Sequence, residues 1–241
     1  MKLKTDTKVK ARVDALPWPA LTKALDERGF ATIDGLLDPK TCRDLTALYD
    51  QPDRFRSKVV MARHRYSRGE YQYFDRPPPP LVAELRTTLY PHLASLANLW
   101  AERLRQDRRY PRTLKALTAE CQALGQTRPT PLLLKYGPDD FNCLHQDLYG
   151  ELAFPLQLTV LLSRPAEDFT GGEFLLTEQR PRRQSRGEVV PLAQGDAVVF
   201  AVHHRPALGT RGYHRVNLRH GVSTVRSGQR FTLGVIFHDA R

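Results

Sequence analysis

Three observations predict an α+β chain with a double-stranded β-helix (jelly-roll) core buttressed by N-terminal helices. From Pro129 onward the sequence breaks into short β-prone runs separated by turn residues, the spacing of sandwiches and barrels. Before Pro129, apolar residues recur at helical spacing, with Gly and Pro at the stops. Within the β-rich half, a His-x-Asp pair and a distant histidine offer the donor set of a metal site.

At 241 residues with 41% hydrophobic content, the chain has length and apolar material for one core. The expected organisation is a single domain over 1–241: a flexible N-terminus at 1–16, a helical support region at 17–128 and a jelly-roll core at 129–241. Residues 21–28 read as a short helix closed by Gly29, and 30–33 as a strand. Asp38-Pro39 opens a second helix, because Asp accepts from free backbone N–H groups at an N-cap and Pro suits the first helical position. Cys42, Leu45, Leu48 and Tyr49 follow on its apolar side. Residues 54–76 alternate Arg or Lys with aromatics, among them Tyr66, Tyr71, Tyr73 and Phe74. Two readings fit: cations for phosphates with aromatic faces for bases, or an edge strand with half-buried tyrosines. Four prolines at 77–80 end the segment. A long helix is expected over 81–104, interrupted at Pro91, and another over 112–124, stopped by Gly125. The expected strands are 132–136, 157–163, 173–176, 189–191, 197–201, 216–220 and 230–237, with turns at Gly137-Pro138-Asp139-Asp140, Gly171-Gly172, Gly195-Asp196 and Ser227-Gly228. No internal repeat is present.

The chemistry is concentrated at His145-Gln146-Asp147. On a strand, residues two apart share a side, so His145 and Asp147 face together. A second imidazole would complete the 2-His-1-carboxylate triad of non-haem iron sites, which leaves metal positions open. His220, 75 residues after His145, is the candidate. It precedes a Ser-Gly turn and a return strand from Arg230, so that Arg230 is expected on the neighbouring strand with Thr232 on its face. A guanidinium beside a hydroxyl suits a carboxylate. His64 and His92 lie before the core, His203 and His204 in a loop, and His238 past Arg230. His214 is the rival, six residues before His220. On the strand after Asp147, Gln157, Thr159, Leu161 and Ser163 share a face, which offers Thr159 and Ser163 as hydroxyl partners of a ligand, or as ordinary polar contacts.

The charge balance is basic: 37 Lys and Arg against 26 Asp and Glu, a net +11. It favours polyanionic partners. Arg180, Arg182, Arg183 and Arg186 are the densest cluster, read either as phosphate contacts or as a solvated loop. Three cysteines without metal spacing suggest reduced thiols and a cytoplasmic protein. The N-terminal segment lacks a secretory apolar stretch, and no run of 18 apolar residues suggests a membrane span.

The motifs RHRYSRGEYQYFDRP (63–77), GQTRPTPLLLKYG (125–137), FNCLHQDLYGE (141–151), FPLQLTVLLS (154–163), DFTGGEFLLTEQRPRRQSR (168–186), QGDAVVF (194–200) and RHGVSTVRSGQRFTLGVIFHDA (219–240) resemble the Fe(II)/2-oxoglutarate-dependent dioxygenases. Within them the chain is similar to a bacterial group described as nucleic-acid oxygenases. The resemblance implies Fe(II) held by His145, Asp147 and His220, with 2-oxoglutarate and O₂ as cosubstrates. It further implies that Arg230, with Thr232, holds the distal carboxylate of 2-oxoglutarate, and that Tyr136 lines the cosubstrate pocket. The implied reaction is C–H hydroxylation, which on an N-methyl group ends in demethylation of a nucleic-acid base. A hydroxylase of a protein side chain or small molecule would use the same site.

Overall fold

Two antiparallel sheets face each other, and the helices cover one of them. A computed structural model of the protein describes residues 7–64 and 67–241; Arg65 and Tyr66, from the basic-aromatic segment, lie outside the described residues. The larger sheet has seven strands, in the order β1 (Phe30–Ile33), β10 (Ala197–Ala201), β6 (Leu156–Leu161), β14 (Arg230–Val235), β4 (Leu132–Tyr136), β3 (Glu70–Phe74) and β2 (Phe55–Val60). The smaller runs β11 (His204–Gly209), β12 (Gly212–Val222), β8 (Phe174–Gln179) and β9 (Arg186–Val190), with β5 (Asn142–His145) also on β12. A short pair, β7 (Phe169–Gly171) and β13 (Val225–Gly228), completes the strands. This is the expected jelly-roll core.

The period-two alternation of a strand divides each element between two environments. On β6, Leu156, Leu158 and Val160 pack into the helix-side core, while Gln157 and Thr159 face a cavity between the sheets. On β14, Leu233 and Val235 join the same core, while Arg230 and Thr232 face the cavity. Phe30, Phe174, Leu176, Val198 and Phe200 seal the space between the sheets beside it.

The helices are α1 (Thr7–Asp14), α2 (Trp18–Arg28), α3 (Pro39–Thr46), α4 (Pro80–Arg103) and α5 (Leu114–Ala123). Asp38 caps α3 as expected, accepting from the Thr41 N–H at 2.8 Å. Gly29 closes α2 at φ +82°, where a side chain would collide with Leu218.

Four expectations need correction. The N-terminal segment is not wholly frayed: α1 forms, and Val9 and Val13 are buried in the helical layer. Their four-residue spacing gives a polar helix one narrow apolar contact line. The long helix is not interrupted, since α4 runs through Pro91 with Leu89, Tyr90, Leu93 and Ala94 buried around it; packing outweighs the lost hydrogen bond. The segment 17–128 is not only helical support, because β1, β2 and β3 from it extend the larger sheet. Finally, Arg230 does not sit on the strand neighbouring His220. Between them β13 crosses to pair with β7, and β14 then inserts between β4 and β6. Ligand candidates and arginine therefore face each other across the sandwich.

Candidate metal centre

β12 and β5 bring the histidines together. His220 pairs directly with His145 in the ladder, and the rings lie 4.2 Å apart. Gly221 permits this: a Cβ there would stand 2.6 Å from the Asn142 carbonyl oxygen. Asp147 is not on the strand, which ends at His145; it sits in the following loop. Its carboxylate still reaches both rings, with Oδ1 3.4 Å from His145 Nε2 and Oδ2 3.2 Å from His220 Nε2. The donor atoms of the three residues lie within 4.8 Å of one another, and this is the one such group among the described residues.

The hydrogen bonds direct these atoms toward a cation. His145 Nδ1 lies 2.8 Å from the Cys143 carbonyl; a carbonyl only accepts, so Nδ1 carries the proton and the Nε2 lone pair is free. His220 Nε2 lies 3.2 Å from both the Gln157 amide nitrogen and Asp147 Oδ2. The His145 lone pair thus points at a carboxylate against which both rings are packed, an arrangement a positive charge between them stabilises. The same field acts on protons. Burial pushes Asp147 up, but His145 and His220 hold it well below the usual carboxylate range. Burial pulls His145 down, yet Asp147 leaves it above its ordinary value. His220 is below, chiefly through burial.

Arg230 lies on the opposite wall, 1% exposed. Burial pulls its guanidinium down to about 10, so it stays charged near neutrality. Its Nε and Nη1 have no hydrogen-bond partner. A buried cation left this way is costly, and a ligand carboxylate would relieve it. Thr232 is buried beside it, and Tyr136, opposite Arg230 in the ladder, has its ring 5.6 Å from the guanidinium. The donor set and the orphaned guanidinium thus fit a divalent metal and a dicarboxylate. The cavity, about 380 Å³, is lined by these groups, by Thr159, and by Tyr71, Leu132, Leu134 and Ile236.

Other candidates fall elsewhere. Ser163 does not line the cavity; its hydroxyl accepts from the Phe231 N–H at 2.8 Å. Phe74 points to the helix side and stacks on Phe55 at 4.8 Å, and Tyr73 is buried, so neither face is open to a base. Strand alternation separates Phe74 from Tyr71 and Tyr73. Arg180, Arg182, Arg183 and Arg186 lie on the β8–β9 hairpin and do not line the cavity. Arg180 and Arg186 pair with Glu178 and Glu188 at 2.7 and 3.1 Å, while Arg182 and Arg183 are exposed. Two residues at the site went unassigned in the sequence reading. Tyr149 donates to Asp147 Oδ1 at 2.7 Å, and Gln157 donates to Asp147 Oδ2 at 2.8 Å. Their signal was positional: Tyr149 follows Asp147 by two, and Gln157 shares its strand face with Thr159.

The fold matches solved oxygenases. A Pseudomonas putida prolyl-4-hydroxylase superposes with TM-score 0.53 at 15% identity, over 93% of this chain and 99% of that one. A Burkholderia pseudomallei oxidoreductase of the 2OG-Fe(II) oxygenase family gives 0.54 at 15%, over 94% of each. A Trichoplax adhaerens prolyl hydroxylase gives 0.54 at 13%, over 98% and 94%. The chain therefore has the fold of the 2OG-Fe(II) oxygenases. More particularly, residues 69–240 match a family described as oxygenases catalysing oxidative methylation of damaged DNA, and the chain belongs to that family. Two uncharacterised Mycobacterium tuberculosis proteins are 51% identical over 160 residues, which is 66% of this chain and 69% of theirs.

Proposed function

We propose that this oxygenase acts on an alkylated base of a nucleic acid, removing a methyl group by hydroxylating it. The observation that carries the reading is a neutral, aromatic-walled cavity inside a strongly basic protein. Apart from His145, Asp147, His220 and Arg230, the cavity presents no Asp, Glu, Lys, Arg or His side chain, so the reacting group it accepts is uncharged where it meets Tyr71, Leu132, Leu134 and Ile236. The net charge of +11 suits the phosphates that accompany such a group, and the family's description names damaged DNA.

In this reading His145, Asp147 and His220 hold Fe(II), and Arg230 with Thr232 holds the distal carboxylate of 2-oxoglutarate. Tyr136 and Thr159 wall that pocket. Fe(II) with 2-oxoglutarate supplies an O₂-derived oxidant, with release of CO₂ and succinate. The protein's part is to orient the cosubstrate through Arg230, to hold both imidazoles against the Asp147 carboxylate, and to seat the substrate carbon against the apolar wall. A hydroxylated N-methyl group then breaks its C–N bond, returning N–H and formaldehyde.

The test is succinate and formaldehyde release with Fe(II), O₂ and 2-oxoglutarate, offered methylated oligonucleotides, peptides and free amino acids in parallel. Coupled formaldehyde from an oligonucleotide is expected. Turnover stimulated by a peptide or metabolite, with no oligonucleotide response, would refute the assignment. His145→Ala, Asp147→Ala and His220→Ala should each abolish turnover, and His214→Ala, on the rival histidine, should retain it.

A further inference from the structure

We propose that Tyr149 and Gln157 are positioning residues that grip the two oxygens of Asp147 and thereby set the strength and geometry of metal binding. The inference rests on the ligand assignment above. Asp147 lies past the end of β5, so the ladder that orients His145 and His220 does not orient it. A carboxylate on irregular backbone has two soft torsions, and something else must fix them. The structure supplies one donor for each oxygen. The Tyr149 hydroxyl donates to Oδ1 at 2.7 Å, and the Gln157 amide donates to Oδ2 at 2.8 Å.

The two donors come from different places. Tyr149 belongs to the same loop, whereas Gln157 stands on β6 in the opposite sheet. Gln157 therefore ties the one loop-borne ligand to the framework that carries Arg230. The Tyr149 hydroxyl also interacts electrostatically with that of Tyr73, a buried residue of β3. The amide orientation of Gln157 follows from its surroundings: reversing it would set Oε1 against the carboxylate. Each carboxylate oxygen accepts in two directions, so one donor per oxygen still leaves a lone pair for the metal. Partners of this kind, when lost, typically cost 10–100-fold in metal affinity.

The experiment titrates metal-free enzyme with Co(II) alone, reading affinity and the visible ligand-field absorption, and checks folding by thermal melting. Tyr149→Phe and Gln157→Met keep volume and remove the donor. Each should weaken Co(II) binding about tenfold or more and shift the absorption band, and the double variant should do so further. Tyr110→Phe is the control, because that hydroxyl donates to the Ala153 carbonyl, away from the site; it should leave both readings unchanged. Wild-type affinity and spectrum in either folded single variant, with Asp147→Ala unable to bind, would overturn the positioning role while leaving the ligands intact. Wild-type Co(II) binding by Asp147→Ala would instead overturn the ligand assignment, and this proposal with it.

Discussion

At the scale of single residues, Arg230 is a buried cation on the cavity wall. It is buried and charged, and two of its nitrogens are unpartnered. Such a residue costs stability unless a ligand compensates it. Arg230→Lys keeps the charge but loses the planar fork that meets a carboxylate with two parallel bonds. The expected loss in 2-oxoglutarate affinity is about 1–3 kcal/mol, with Co(II) or Fe(II) affinity retained. Titration of 2-oxoglutarate against the metal-loaded enzyme checks this, and an unchanged affinity would remove Arg230 as the anchor. Arg230 stood out in the sequence because it follows the ordered series His-x-Asp and then His, although a lone arginine is usually solvated. Ser163 was not legible, because a strand-face argument assigns a side but not a depth. Two residues past the end of β6, its hydroxyl meets a backbone N–H instead of the cavity.

At the scale of elements, the segment after β14 is stitched to the loop that follows Asp147. His238 Nδ1 accepts from the Phe154 N–H at 3.1 Å, and the Gln126 amide donates to the Leu152 and Asp239 carbonyls at 2.9 and 2.6 Å. The first contact requires neutral His238. Burial pulls its pKa from 6.5 to about 4. The unfolded chain protonates this group as pH falls through 6.5, and the folded chain only near 4. Between those values the unfolded state binds more protons, so stability is full above 6.5 and is lost as pH drops toward 4. The melting temperature should fall across that window, and His238→Gln should flatten the fall. An identical pH slope in the variant would show that His238 contributes nothing to it. The elements best read from sequence were those with strong local punctuation: the Asp38 cap, the Gly29 stop, and the apolar runs that became β1, β4 and β10. β2 and β3 were offered only as one alternative for 54–76, and β11 was hidden because its Pro206 and Gly209 disfavour a strand.

At the scale of the whole molecule, the basic charge is spread unevenly in its consequences. Two of the four hairpin arginines are already paired with glutamates, so Arg182 and Arg183 are left to meet phosphate. If the protein binds nucleic acid through this hairpin, affinity should fall with salt, and each phosphate contact contributes about 0.9 to the logarithmic slope. Arg182→Ala with Arg183→Ala should lower the slope by about 1.8, and adding Arg180→Ala and Arg186→Ala should change it less. Basal 2-oxoglutarate turnover should survive, because none of the four lines the cavity. A slope unaltered in the fourfold variant would place the phosphate contacts elsewhere. Among the described residues no helix is long and apolar enough to cross a membrane.

By itself the sequence determined the donor types and their order, the short-strand core and the position of the candidate arginine. Each follows from residue chemistry and period, which are local. Only the tertiary structure decided that Asp147 sits in a loop and accepts hydrogen bonds from Tyr149 and Gln157. It alone placed Arg230 across the sandwich from His220 and moved Phe74 out of reach of any substrate. Those outcomes depend on which strands become neighbours, and that choice is made by the packing of two sheets against each other rather than by any segment's own pattern.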